Sequence, residues 1–394
     1  MNNWNNYQPE EKTVAVIVGT RPEAIKLAPV ILELGASSVF SPLIVSTSQH
    51  RQMVTQILDN FGLSPDLDLD VMRPRQSLSE LTGILSNQLG LLFQREKIDA
   101  VIVQGDTTSA FIGGLCAFYH KIPVAHVEAG LRSNDRYSPF PEELNRSMLT
   151  RLATWHFAPT DHARRQLLNE NISAKDIYVC GNTVVDALNW MIVRLDGSHS
   201  PFPELVDGER LVLVTCHRRE NIGKPMIDVA TAVARLCRTH PKLKVLFPMH
   251  PNPAVRDAVI PILEHNPQVT LCEPLDYDAF LCTLKQSFFV MSDSGGIQEE
   301  ATALGKPVLV LRRETERPEG VHAGTLRLVG TDAADVFREA DNLLSSPRAY
   351  ASMTRGSNIY GDGHAAEKIV RTLENDLAGA SLPSSCTGAF QPCH

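Results

Sequence analysis

The sequence lacks several features that mark whole classes of protein. It carries more acidic than basic residues, with a net charge of -8, which argues against a surface that tracks nucleic-acid phosphates. No apolar run reaches the roughly 18 residues that a membrane-spanning helix needs, so we expect no contact with a membrane. Residues 1–12 are polar and rich in asparagine, unlike a secretory signal, and we therefore expect a cytoplasmic protein.

Patterns that bind metals or common cofactors are also missing. The 8 cysteines form no CxxC pair, and most lie in apolar contexts where buried free thiols are expected. There is no HExxH and no Cys/His cluster, and none of the predicted strands ends in a DxD doublet, so we predict no bound metal. No Gly-x-Gly-x-x-Gly fingerprint follows the first apolar strand, which weighs against NAD. We expect no cofactor.

Strands and helices alternate along the chain. Short apolar runs such as 13–18, 100–103 and 308–311 are typical of buried strands, and amphipathic stretches lie between them. This alternation predicts an α/β protein with parallel sheets and right-handed crossovers. The 394 residues suffice for two domains, and the polar, Pro- and Gly-rich segment 196–210 is the predicted connection. We therefore predict two Rossmann-like domains with a central cleft.

A Ser-Gly-Gly turn between a predicted strand, 288–291, and a predicted helix, 297–304, is the strongest indication of a ligand. The turn, Ser294-Gly295-Gly296, presents backbone N–H groups and the positive end of a helix, which together form a site for an anion such as phosphate. Glu299 and Glu300 suit hydrogen bonds from ribose hydroxyls. These features favour a bound nucleoside diphosphate, although Gly-Gly alone would favour a turn without a ligand.

Other reactive residues fall at the carboxyl ends of predicted strands, where ligands bind in such sheets. Asp106 begins an Asp-Thr-Thr sequence typical of a helix N-cap, so a structural role is slightly favoured for it alone. Glu128 lies beside a glycine and an arginine, which favours function. Glu142 is one of two adjacent glutamates at a helix start, where acids are favoured anyway. His217 can act as acid or base near neutral pH, although a solvated loop is the alternative.

A set of short motifs, in consistent order from about residue 13 to residue 375, carries a family resemblance. The motifs are Gly19-Thr20-Arg21-Pro22-Glu23-Ala24, Gly105-Asp106-Thr107-Thr108, His126–Arg132, Pro141-Glu142-Glu143, Gly181-Asn182-Thr183, His217-Arg218-Arg219-Glu220, Asp293–Glu300, Thr315–Glu319 and Tyr360-Gly361-Asp362-Gly363. Together they closely resemble the non-hydrolysing UDP-N-acetylglucosamine 2-epimerases of bacteria, because chance agreement of so many motifs is negligible beside that of any one. The sequence departs from this family at Ile359, where a proline is common.

The resemblance implies the two-domain arrangement of many nucleotide-sugar glycosyltransferases, called GT-B, and a homodimer. We place an N-terminal domain at 13–182 and a UDP-binding domain at 183–362. A helix at about 363–378 is expected to pack back on the first domain. Residues 1–12 and 379–394 are expected to be flexible tails.

The resemblance also implies roles for residues at matching positions. The catalytic residues would be Asp106, Glu128, Glu142 and His217. Contacts to UDP would come from Arg21, Ser294, Gly295, Gly296, Glu300 and Arg317. A second UDP-GlcNAc that acts as an allosteric activator would bind Gln49, Gln52, Arg75, Glu142, Arg218 and His250.

The implied reaction is the reversible C2 epimerisation of UDP-GlcNAc to UDP-ManNAc, which supplies ManNAc units for surface polysaccharide. The C2 proton is not next to a carbonyl, so forming a simple carbanion would be costly. Expelling UDP while a carboxylate takes the C2 proton gives 2-acetamidoglucal, and re-addition completes the exchange. The residues leave open which acid donates and which accepts. An epimerase for a modified UDP-sugar and a GT-B glycosyltransferase remain the alternatives.

Overall fold

The structure is a computed structural model that describes residues 11–49, 51–73, 75–195, 205–356 and 358–379. These residues form two parallel sheets flanked by helices, so the predicted α/β class is confirmed. None of the helices in the described ranges is long and apolar enough to cross a membrane.

The first sheet has 7 strands in the order β3-β2-β1-β4-β5-β6-β7. These strands are β1 (Lys12–Val18), β2 (Phe40–Ser46), β3 (Leu67–Asp68), β4 (Ala100–Gln104), β5 (Val124–Val127), β6 (Trp155–Ala158) and β7 (Ile177–Val179). The helices between them are α1 (Arg21–Ala36), α2 (Arg51–Asn60), α3 (Leu78–Arg95), α4 (Thr108–Tyr119), α5 (Glu142–Leu152) and α6 (Asp161–Asn169).

The second sheet has 6 strands in the order β10-β9-β8-β11-β12-β13. These strands are β8 (Arg210–Thr215), β9 (Leu243–Pro248), β10 (Val269–Cys272), β11 (Phe289–Ser292), β12 (Val308–Val310) and β13 (Leu326–Leu328). The remaining helices are α7 (Thr183–Arg194), α8 (Lys224–Thr239), α9 (Pro253–Leu263), α10 (Tyr277–Gln286), α11 (Gly295–Ala303), α12 (Pro318–His322), α13 (Ala333–Ser345), α14 (Pro347–Met353) and α15 (Ala365–Gly379).

The central strands show why short apolar runs form these sheets. Residues 14–18 of β1 are fully buried, and residues 211–214 of β8 are at most 1% exposed. Strands of parallel sheets are covered by helices on both faces, so continuous apolar sequence rather than alternation suits them. Helix starts follow equally local rules. At α3, for example, Ser77 and Glu80 form a reciprocal capping box.

The strand order places a crevice in each sheet. β1 lies between β2 and β4, and β8 lies between β9 and β11, so the direction of winding reverses at β1 and at β8. In open parallel sheets, ligands bind beyond the carboxyl ends of the strands at this reversal. The segments that follow these strands are therefore the first places to look for a site.

Helices α7 and α15 join the two sheets. α15 packs on α1 and α7, and α7 also contacts α11 of the second half. The backbone N–H of Ala366 in α15 donates to Asp186 of α7 at 2.8 Å. The last helix thus lies against the first half of the chain, whereas the boundaries at 13–182 and 183–362 stay a prediction.

Several local expectations differ from the structure. The Ser-Gly-Gly segment is not a turn ahead of a helix that starts at Ile297, because α11 already begins at Gly295 with Ser294 as its N-cap. Asp106 is not the N-cap of α4, because Thr107 accepts the capping hydrogen bond from Ala110 N–H. Strands β3 and β13 were not predicted.

Some expectations concern residues that the structure does not describe. The first ten residues and those from 380 onward lie outside the described ranges, and so does 196–204 of the predicted connection. β1 begins at Lys12, and α15 continues to Gly379.

Candidate active site

A cleft with a cavity volume of about 970 Å³ lies between the ends of the two sheets. Most of the residues predicted to be catalytic or to hold UDP line it. They are Asp106, Glu128, Glu142, His217, Ser294, Gly295, Gly296 and Arg317, together with Arg218 of the predicted second site. The structure therefore brings these predicted residues, which span 211 positions from Asp106 to Arg317, into one cavity.

Glu128 directly follows β5 and is held by side chains from three other segments. Both its carboxylate oxygens accept from the ammonium group of Lys26, at 2.7 Å each. The amide of Gln104 donates to the same carboxylate, and Asn182 Nδ2 lies 3.5 Å from Oε1. Glu128 is 8% exposed and its backbone φ is 65°, an uncommon conformation for a residue other than glycine. Such constraint is typical of a residue whose position matters.

Lys26 and Arg317 face two buried carboxylates. Lys26 Nζ lies 3.1 Å from Glu299, and Arg317 Nε donates to Glu299 at 2.9 Å. Arg317 also lies 3.8 Å from Glu128. Burial lowers the pKa of Lys26, but the charges of Glu128 and Glu299 outweigh burial and raise it above its usual value. The two cations and two carboxylates compensate one another, which buried charges require.

Asp106 and Glu142 face the cleft from the first half of the chain. Arg146 Nε lies 3.3 Å from the carboxylate of Asp106 and 3.3 Å from that of Glu143. Burial raises the pKa of Asp106, the charge of Arg146 lowers it, and the nearby Glu142 raises it again, with a net rise. Asp106 therefore holds a proton more readily than an exposed aspartate does.

The two adjacent glutamates at the start of α5 are now distinguished. Glu143 accepts hydrogen bonds from the backbone N–H groups of Ser133 and Asn134 at 3.0 Å each, so it fixes the preceding loop. Glu142 lines the cleft instead, and its buried Oε2 has no hydrogen-bond partner in the described structure. An unpaired buried carboxylate oxygen is costly unless a ligand satisfies it, so Glu142 is the better candidate for function.

The opposite wall of the cleft offers an anion site. α11 begins at Gly295, so its first N–H groups and the positive end of its dipole point towards the cavity. The guanidinium of Arg317 lies directly over Gly295, since a Cβ placed there would come within 2.6 Å of Nη1. A Cβ at Gly296 would meet nothing within 4 Å. Open backbone N–H groups beside an arginine suit a phosphate or diphosphate.

Comparison with known proteins identifies the family. A family model described as UDP-N-acetylglucosamine 2-epimerase matches residues 32–374. The chain belongs to the UDP-N-acetylglucosamine 2-epimerase family. The resemblance noted from the motifs is thus confirmed, and the family is one of isomerases.

Individual epimerases of known name are similar over almost the whole chain. The UDP-N-acetylglucosamine 2-epimerase of Bacillus subtilis (strain 168) is 48% identical over 360 residues, which are 91% of this chain and 94% of that protein. That of Escherichia coli (strain K12) is 43% identical over 370 residues, which are 92% of this chain and 98% of that protein.

Solved epimerase structures share the fold. The crystal structure of UDP-GlcNAc 2-epimerase from Neisseria meningitidis bound to UDP-GlcNAc has a TM-score of 0.88 at 42% identity, and the match covers 92% of this chain and 100% of that chain. A glycosyltransferase from Rickettsia africae is similar to this chain in fold alone, with 13% identity and a TM-score of 0.57.

Two residues predicted to contact UDP do not line the cleft. Glu300 is buried in α11, where Tyr277 donates its hydroxyl hydrogen to Oε1 at 3.0 Å. Burial raises the pKa of Glu300 to about 7. Arg21 lies with its guanidinium carbon 5.8 Å from the centre of the Tyr277 ring. Both residues lie close together behind the anion site, and their contact with a nucleotide stays a prediction.

The predicted second site is only partly assembled. Glu142 and Arg218 line the cleft, and the ring of His250 lies parallel to that of His217 at 6.0 Å between centres. Gln49 accepts a hydrogen bond from a serine of α4 at 3.0 Å, and it does not line the cleft. Gln52 and Arg75 are exposed and also lie outside the cleft lining. Of the six residues, only Glu142 and Arg218 line the described cleft, and the shared role of the set stays a prediction.

Several polar residues of the site were not singled out from the sequence. They are Lys26, Gln104, Arg146 and Asn182. A signal existed for three of them, since Asn182 belongs to the Gly181-Asn182-Thr183 motif. Lys26 is the one charged residue in the apolar stretch 24–32, and Gln104 ends a buried strand. Among the residues that the structure describes, no group of three or more His, Cys, Asp or Glu side chains is arranged to hold a metal ion.

Proposed function

We propose that the chain interconverts UDP-GlcNAc and UDP-ManNAc by eliminating UDP to 2-acetamidoglucal and adding it back, without hydrolysis. One observation carries the proposal: an anion site at the start of α11 faces a group of carboxylates across a single cleft. The sugar belongs to the proposal because the similar Neisseria meningitidis structure is described as bound to UDP-GlcNAc.

The anion site suits the leaving group. As the bond from C1 to the diphosphate oxygen breaks, negative charge develops on the diphosphate. The N–H groups at Gly295 and the guanidinium of Arg317 are already in place to stabilise that charge without reorganisation. The same groups retain UDP while the glucal exists, so that it can add back.

The carboxylates suit the proton transfers. In this proposal Glu128, which faces the ammonium group of Lys26, accepts the proton from C2. Asp106 holds a proton more readily because burial raises its pKa, and it returns a proton to C2. Glu142 has an unpaired oxygen that can bind the sugar between them. His217 faces these acids from the anion side of the cleft.

The glucal must be shielded from water, or it would be lost. The cleft lies between the two halves of the chain, so we expect these halves to close on the substrate. The wider proposal includes a homodimer in the cytoplasm, activation by a second UDP-GlcNAc and a supply of ManNAc units for surface polysaccharide.

Epimerisation in heavy water tests the reaction. The protein is incubated with UDP-GlcNAc in heavy water, and the products are followed by NMR. UDP-ManNAc with deuterium at C2 is the expected product. Free ManNAc with UDP would assign the chain to hydrolysing enzymes, and UDP-ManNAc without deuterium would refute proton exchange at C2. UDP binding without any turnover of UDP-GlcNAc would point to a modified UDP-sugar.

A further inference from the structure

Asp293 connects the two loops that form the anion side of the cleft. It directly follows β11, and its side chain is 0% exposed. Its Oδ2 accepts from the backbone N–H groups of His217 and Arg218 and from Asn221 Nδ2, at 2.9 Å each. Three donors on one oxygen suit a carboxylate and hold the loop after β8 against the loop after β11.

The other oxygen of Asp293 faces the ring of His217. Oδ1 lies 3.3 Å from Nδ1 of that ring and makes no hydrogen bond of good geometry in the described structure. The neighbouring thiol of Cys216 is neutral, since burial and the charge of Asp293 both raise its pKa. A carboxylate oxygen only accepts, so a favourable contact requires that Nδ1 of His217 carries a hydrogen.

A second ring limits how His217 can turn. The imidazole of His250 lies parallel to that of His217, with the ring planes 10° apart. The side chain of His217 remains 43% exposed where it lines the cleft. With Nδ1 turned to Asp293 and the ring of His250 parallel to that of His217 at 6.0 Å between centres, Nε2 is the nitrogen left for a ligand.

We propose that Asp293 is a positioning residue that holds His217 in the tautomer with hydrogen on Nδ1, so that the lone pair of Nε2 faces the cleft and accepts a proton or a hydrogen bond from the substrate. The role of His217 towards the substrate rests on the proposed function. A carboxylate that fixes a histidine tautomer by contacting the other ring nitrogen is a general device in active sites. Bracing of the two loops by Oδ2 is a separate, structural role, and the tests must distinguish the two.

The substitution Asp293→Asn keeps the shape of the side chain but reverses the direction of its hydrogen bond with Nδ1 of His217. The amide oxygen can still accept from the two backbone N–H groups, so its NH2 group faces Nδ1 of His217. Because an NH2 group only donates, Nδ1 must accept and the hydrogen moves to Nε2. We expect ¹⁵N NMR of histidine-labelled protein, assigned with His217→Asn, to show this change of tautomer. Wild type with hydrogen on Nε2 would overturn the proposal, even if the variant failed to fold.

Kinetics give an independent readout. We expect Asp293→Asn to lower kcat by roughly 100-fold while KM and the affinity for UDP change by less than about threefold. In a His217→Asn background, adding Asp293→Asn should cost nothing further, because both changes act through one ring. Asp186→Asn, which alters a buried aspartate that accepts from Ala366 N–H, controls for loss of a buried carboxylate and should keep kcat.

The outcomes separate this inference from the proposed function. A full additional loss of kcat in the double variant, with an unchanged tautomer in Asp293→Asn, would leave Asp293 only as a brace and overturn the inference. Failure of wild type to epimerise UDP-GlcNAc would refute the proposed function, but the tautomer of the resting protein would still decide between the two roles of Asp293.

Discussion

Glu23 offers a prediction whose size follows from its surroundings. It lies in α1, is 1% exposed, and accepts hydrogen bonds from Gly19 N–H at 3.1 Å and from the hydroxyls of Thr20 and Thr107 at 2.8 and 2.7 Å. Burial raises its pKa from 4.5 to about 7, and the hydrogen bonds from Thr107 and Thr20 lower it by less. The folded chain therefore binds this proton more tightly than the unfolded chain does.

The sign and size of the effect follow from linkage. A carboxyl whose pKa is higher in the folded state adds stability below the unfolded value, and this stability is lost as the pH rises through the folded value. Each pKa unit corresponds to about 1.4 kcal/mol, so ionising Glu23 between pH 4.5 and about 7 removes about 3 kcal/mol of stability. Glu23→Gln keeps the shape and cannot ionise, so this part of the pH dependence should disappear.

Urea unfolding at pH 5, 6, 7 and 8 measures the difference. Fluorescence reports on this half of the chain, because Trp155 and Trp190 pack in it. We expect Glu23→Gln to gain about 2.5 kcal/mol relative to wild type between pH 5 and pH 8, because part of the effect already occurs below pH 5. Glu33→Gln, at an exposed position of the same helix, controls for the loss of one carboxylate. Parallel curves for wild type and Glu23→Gln over this range would refute the reasoning.

Three further changes test the cleft. Lys26→Met leaves Glu128 and a second buried carboxylate without the cation between them, so thermal unfolding should show a loss of about 3 kcal/mol, and an unchanged midpoint would contradict this. Gly295→Ala must displace Arg317, so calorimetry should show UDP binding weakened about tenfold. Gly296→Ala is the control, because its methyl group has room. Equal effects of the two changes would contradict the proposal that the diphosphate binds at Gly295 beside Arg317. Glu128→Gln should slow deuterium incorporation about 10³-fold with UDP affinity nearly intact, and lost UDP binding would show that its role is misassigned.

Local pattern was sufficient for the anion site. A buried strand, small residues and a helix start follow one another between 288 and 304, and each depends only on near neighbours in sequence. The same reasoning erred on boundaries. It began α11 two residues late and placed the cap of α4 on Asp106 instead of Thr107, because adjacent polar residues compete for one N-cap.

Long-range pairing escaped prediction. Lys26 and Glu128 are 102 positions apart, and their contact depends on how α1 lies across the end of β5. The roles of Glu142 and Glu143 could not be separated in sequence either, since both open the same helix. The structure separates them because the backbone N–H groups of residues 133 and 134 donate to Glu143, whereas Glu142 faces the cleft.

The sequence by itself determined the α/β class, the position of the helix at whose start we propose that the diphosphate binds and, through its motifs, the family. All three features depend on hydrophobic periodicity and on short motifs, whose residues are close together in sequence. The tertiary structure alone decided which charges meet. It placed Lys26 and Arg317 between Glu128 and Glu299, and it set Asp293 against His217. Tertiary packing brings these charged residues together although many residues separate them in sequence, so no short sequence motif predicts their contacts.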